Sequence, residues 1–258
     1  MSIQTHWLRS LSLAATFSFV AGAAAANTCN QLPDHAALKA ALDAAVATET
    51  SGLDLDMWGT IVDRDGVVCA VAFSGANRGS QWPGSRVISA QKANTANAFG
   101  LNGLALSTAN LFSAVQPGGS LFGLQFSNPV DTSVAYKGPE TNYGQANDPM
   151  KGEKPGGVNV FGGGLGLYDA NGIVGAIGVS GDTSCADHMI AWRVRDNLGL
   201  DLLVTAGAGG VSGDPSRPDN IIYDIAPNPT GGTGLSALGF GHPPCLNLGD
   251  QGTLPAVE

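Results

Sequence analysis

The sequence predicts an α+β fold. Two pairs of apolar, β-rich segments lie around turn signals, and segments with helical spacing stand before, between and after them. Glycine is abundant, at 37 of 258 residues. That is about twice the usual share and points to closely approaching backbones.

Residues 34–49 carry Leu38, Ala41, Leu42, Ala45 and Val46 at helical spacing, with Pro33 before them and Asp34 as the capping residue. Residues 57–63 and 67–73 form a hairpin around Arg64-Asp65-Gly66. Pro83-Gly84-Ser85 opens an Ala-rich helix that runs to Phe99. A short helix is expected over 104–115 and a strand over 118–126. Residues 127–157 are an excursion with Pro and Gly throughout, and such a length suggests a lid or an interface arm. Tyr136 and Tyr143 in it are expected to pack on a neighbouring subunit.

A second hairpin spans 161–169 and 173–179 around Ala170-Asn171-Gly172. Gly178, Ser180 and Gly181 then bend the chain into a helix over 185–198, with Ser184 as cap and Asp187 as its box partner. This places Cys185, Asp187 and His188 in a first helical turn, where unpaired N–H groups favour anions. A further strand is expected at 220–225, followed by an irregular tail over 226–258 tied down by Cys245.

Residues 1–26 read as a cleaved leader. A weakly basic start with Arg9 precedes the apolar run Leu11–Val20, and Ala24-Ala25-Ala26 supplies the cleavage signature. The run is too short to span a bilayer, so a periplasmic or secreted protein is expected. Charged residues make up only 13% of the chain and the net charge is −9. An acidic chain without a basic run argues against nucleic acid and anionic membrane. Low charge with high Gly and Ala suggests surface buried between subunits. Four cysteines in an exported chain suggest two disulfides. Three pairings are open. If helix 34–49 runs back along strand 57–63, Cys29 comes near Cys69, which favours Cys29–Cys69 and Cys185–Cys245. Without a C-x-x-C, neither a zinc ribbon nor a thioredoxin-like motif is supported.

The same blocks carry a family resemblance. SRVISAQKANTANAF at 85–99 resembles the "S…KA-x-TA-x-F" helix of the GlcG/HbpS family, haem-binding proteins with a profilin-like fold. GGGLGLYDANGIVGAIGVSG at 162–181 is similar to that family's "GG-x-P…VGAIGVSG…D" ending, with Leu165 where the family often has Pro. MWGTIVDRDGVVCAVAFSG resembles its opening hairpin. The resemblance covers about residues 34–200. It implies a central antiparallel sheet with helices on its faces, homo-oligomers, and haem or tetrapyrrole binding. On this reading residues 27–205 form the family-like domain, with 127–157 inserted, and 206–258 are a Gly/Pro-rich extension.

The expected function is an exported haem- or tetrapyrrole-binding protein. Alternatives are a haem-degrading enzyme and a cofactor-free module that binds a small organic acid or serves assembly. His188 is the first candidate for axial ligand, and so for the metal site. His35, in the first turn of the first helix, is the second. Arg86, Lys92 and Thr95 on the Ala-rich helix are candidates for holding propionates, with Asp187 beside His188. Each has a plainer reading: a capping histidine, or a lysine covering an apolar face. His242, before Pro243-Pro244-Cys245, reads as structural. Ser180 or Ser184 with Asp187 and His188 lacks G-x-S-x-G and the geometry of a triad. The cluster at 162–166 lacks the dinucleotide fingerprint.

Overall fold

The computed structural model describes residues 28–258 apart from Pro229 and Thr233; the expected leader lies outside the described residues. Strands β1 (Trp58–Asp63), β2 (Val68–Phe73), β3 (Gly164–Asp169) and β4 (Gly172–Ser180) form one antiparallel sheet in the order β2-β1-β4-β3. Each expected hairpin forms. Long-range pairing of β1 with β4 joins them, from Trp58 opposite Ser180 to Asp63 opposite Gly175.

Helix α2 (Ser85–Phe99) lies on one face of the sheet, across β1, β4 and β3. Helices α1 (His35–Val46) and α3 (Ser184–Asn197) lie together on the other. Alternation along β1 sends Trp58 and Val62 toward Ala90, Ala93 and Ala96 of α2, and Ile61 toward Leu38 and Leu42 of α1. Glycine lets α2 sit this close: a Cβ on Gly178 would lie 2.0 Å from the Ser89 carbonyl and 2.5 Å from the Ala93 nitrogen. Within that face Thr60 and Ser89 satisfy one another at 2.7 Å.

Both sheet edges are covered. Val68 of β2 exchanges backbone bonds with Glu153 and Gly152 of the 127–157 excursion. Tyr168 of β3 does the same with Leu200 and Leu202. The Cys29–Cys69 bridge forms, with Cα atoms 5.2 Å apart.

Four expectations need correction. Residues 104–115 are not an α-helix but two 3-10 turns, Thr108–Leu111 and Ser113–Val115. The Asn110 side chain accepts from the Ser107 backbone and hydroxyl and donates to the Asn220 carbonyl, which holds the segment in tight turns against the extension. Residues 118–126 are turns ending in one helical turn, Leu124–Ser127, because Gly118 and Gly123 adopt positive φ. The strand expected at 220–225 reduces to a two-residue pairing of Ile225–Ala226 with Leu235–Ser236. The cap of α3 is Thr183, whose hydroxyl accepts from Ala186 N at 3.3 Å.

Candidate functional site: the β4–α3 corner and its cover

Asp187 accepts from Gly181 N and Asp182 N, at 3.0 and 2.9 Å, so its carboxylate ties the glycine bend to the helix rather than closing a box with Ser184. Its other oxygen receives Lys92 Nζ at 2.6 Å, and Lys92 also donates to Val179 O at 3.1 Å. Lysine and aspartate are both buried. Burial pushes Asp187 up to about 6 and holds Lys92 below the ordinary lysine range; their mutual attraction works against both shifts.

Arg86 forks onto Asp148 through Nε and Nη2, while Tyr143 lies over its guanidinium, 3.7 Å from centroid to Cζ. Asp148 also accepts from Gly144 N and Met150 N. This inward anchor folds the excursion back onto α2, and Tyr143 serves it inside the same chain; Tyr136 remains exposed. Thr95 is fully buried, donating to Gln91 O at 2.7 Å and accepting from Asn159 N at 3.0 Å.

His188 is fully buried. Its Nε2 meets Asn220 Oδ1 at 3.1 Å, and the Ile221 N–H points at the same pair. With Nε2 donating to Asn220, Nδ1 carries a lone pair that finds no partner. Burial lowers His188 to about 4. His35 sits elsewhere, at the start of α1, half-buried, with Nε2 donating to Gly144 O at 2.9 Å. That bond leaves its lone pair on Nδ1.

The extension explains the burial of His188. It wraps the face of α3 that the sheet leaves open. Arg195 forks onto Asp219 at 2.7 and 3.0 Å, both fully buried, and lies 4.5 Å over the Trp192 ring. Trp192 Nε1 donates to Pro255 O at 3.0 Å. The Cys185–Cys245 bridge, with Cα atoms 5.9 Å apart, staples the extension to the tip of the helix. His242 is buried beside it, with Nε2 3.2 Å from Ser184 Oγ.

The structure thus brings together Lys92 and Asp187, turns His188 away to Asn220, and leaves Arg86, Thr95 and His35 apart from the pair. Asp148, Asp219 and Asn220 were not picked out from the sequence. Nothing local marks them, since each lies in an irregular segment and meets its partner across 24 to 62 residues. Two surface clefts, of about 600 and 570 Å³, lie along α1 and beside the end of α2; none of the six candidate residues lines either. With His188 engaged by Asn220 and sealed by the extension, the corner as it stands does not fit a haem.

Residues 32–195 match the family described as haem degrading protein HbpS-like. The chain belongs to the HbpS-like family. Its fold is α+β, a four-stranded antiparallel sheet with helices packed on it. Among solved structures it is similar to Klebsiella pneumoniae ORFY, at 26% identity over 64% of this chain and 90% of that one, with a TM-score of 0.42. It is also similar to a PduOC–haem complex, at 22% identity over 63% and 89%, with a TM-score of 0.43. A Streptomyces reticuli HbpS double mutant matches at 15% identity over 74% and 98%, with a TM-score of 0.39. No curated protein matches by sequence. Among the described residues, no helix is long and apolar enough to cross a membrane.

Proposed function

We propose that this HbpS-like protein is an exported haem- or tetrapyrrole-binding protein that works as a homo-oligomer. The match to the family over residues 32–195 is the observation that carries the reading. Two disulfides are compatible with export. The exposed Phe122 and Phe126, edge to face at 6.5 Å, support a contact between copies.

Of the two candidate histidines, His35 is the better ligand in the closed chain. It is half-exposed and its Nδ1 lone pair is free to bind, whereas His188 is sealed by 206–258. Haem iron accepts imidazole nitrogen readily. Arg86, Lys92 and Asp187 hold the fold rather than a propionate, because each charge is already paired.

Haemin titration tests this. The expected result is a Soret shift at one equivalent per chain, weakened in His35→Ala and retained in His188→Ala. No shift with ferric or ferrous haem would overturn the reading. The closed corner supports a second one, a cofactor-free assembly module; it predicts a colourless oligomer whose association is weakened by Phe126→Ser.

A further inference from the structure

We infer that Cys185, His242 and Cys245 form a thiol-gated site for a soft divalent cation such as zinc, closed as a disulfide and open to metal when reduced. This goes beyond the haem reading and does not depend on it.

The donor atoms of the three residues lie within 4.8 Å of one another. His242 Nδ1 sits 2.7 Å from the Pro243 carbonyl. A carbonyl only accepts, so Nδ1 carries the proton and Nε2 the lone pair. Nε2 faces the bridge and Ser184 Oγ, which is 3.2 Å from Nε2 and 3.5 Å from Cys245 Sγ. A ligating histidine is commonly oriented in this way, its second nitrogen donating to a carbonyl behind it. Phe112 packs against the ring with centroids 5.0 Å apart. The imidazole is buried.

The sulfurs are placed as well. Cys185 lies in the first turn of α3, and its own N–H donates to Cys245 Sγ at 3.2 Å. Helix N-termini stabilise thiolate. His242-Pro243-Pro244-Cys245 sets two ligands three residues apart, the same separation as a C-x-x-C pair in structural zinc sites, with a rigid Pro-Pro between them. Two sulfurs and one imidazole give zinc three protein ligands, and Ser184 Oγ or water completes a tetrahedron.

Gating requires a dithiol reductant. Its thiolate attacks Cys245 Sγ, since Cys245 is half-buried while Cys185 is fully buried. Cys185 leaves as thiolate, which the helix N-terminus favours. The second thiol of the reductant attacks the mixed disulfide, releases Cys245, and departs as the oxidised cyclic disulfide. Two electrons pass to the protein. Metal binding then displaces the protons of the two thiols.

The test uses the mature full-length chain reduced with a phosphine, freed of metal, and titrated with Co²⁺. One equivalent is expected to give a thiolate-to-cobalt charge-transfer band and intense tetrahedral visible bands, both lost on adding Zn²⁺. The oxidised protein should give neither. His242→Ala should weaken binding at least about 10-fold. Cys29→Ala/Cys69→Ala should leave it intact, which separates this site from the other bridge. If reduction loosens the fold, Zn²⁺ should restore the near-ultraviolet circular dichroism of the native protein. The proposal is overturned by absence of the bands, by equal affinity in His242→Ala, by equal affinity in guanidinium-unfolded chain, or by a reduced fold that zinc does not restore.

Discussion

Lys92 Nζ and Asp187 Oδ2 meet at 2.6 Å between α2 and the tip of α3, with both side chains sealed from solvent. The pair joins the two faces of the sheet at the point where β4 ends. Removing one partner strands a charge in a dry interior.

Lys92→Met or Asp187→Asn alone should therefore destabilise the protein by about 3–5 kcal/mol. The double variant Lys92→Met/Asp187→Asn should recover most of that loss. Denaturant unfolding of the four species checks it as a cycle; simple additivity of the two single losses would show that the pair is not coupled.

The VGAIGVSG block at 174–181 was legible in the sequence as a strand and a bend, and the reason for its glycines is contact rather than flexibility. At Gly178 a methyl group meets the α2 backbone itself, which cannot rotate away as a side chain could. Gly178→Ala should cost about 3 kcal/mol or more and lower Tm accordingly. A near-neutral result would mean that α2 can lift from β4.

The Cys185–Cys245 bridge spans 60 residues. In the chain-entropy account a loop of that size is worth about 4 kcal/mol. Cys185→Ser/Cys245→Ser should lower stability by that order and open the 226–250 segment to limited proteolysis while α1 and the sheet stay protected. Cleavage sites mapped by mass spectrometry decide the matter.

Acid should weaken the fold through its buried histidines. His188 and His242 are both lowered to about 4 by burial, against an ordinary 6.5. The groups facing His188 are Asp219, Arg195 and His242; Lys92 also acts on His242. Between pH 6.5 and 4 the unfolded chain takes up these protons and the folded chain does not, so stability falls as pH falls through that window. Asp187, raised to about 6, has the opposite sign: there the folded chain holds the extra proton between about pH 4 and 6. Asp196 and Asp201 are raised too, chiefly by burial, and act with the sign of Asp187. The two strongly lowered histidines set the larger trend, so the denaturant midpoint should drop from pH 7 to pH 5. His188→Asn should flatten the slope whatever its own effect on stability; an unchanged slope would exclude His188 as its source.

The hairpins, α1 and α2 could be read from periodicity and turn residues, because those signals are local; the bridges, which span 40 and 60 residues, followed from the expected run of α1 along β1. The candidate site could be read only in part. Asp187 and His188 were found at the corner, and Lys92 was singled out on α2, but the pairing of Lys92 with Asp187 crosses 95 residues. The burial of His188 was not legible, because its side of α3 shows a broken apolar stripe. That side is covered by polar partners: Asp219 answers Arg195 and Asn220 answers His188. A helix sealed by ion pairs and hydrogen bonds leaves no hydrophobic period to detect. The segment at 104–115 misled for a related reason, since its apolar residues serve turns pinned by Ser107 and Asn110.

The staple over α3 also has a temporal meaning. The carbonyl that satisfies Trp192 belongs to Pro255, 63 positions downstream. As the polypeptide is threaded out from its N-terminal end, both hairpins and α2 emerge before anything can lie over Arg195 or His188. Assembly must therefore finish by wrapping a late segment around an already formed body. A chain trimmed near residue 205 would retain every strand of the central sheet yet leave a guanidinium, an imidazole and an indole bare at once, a recipe for clumping rather than a smaller working protein.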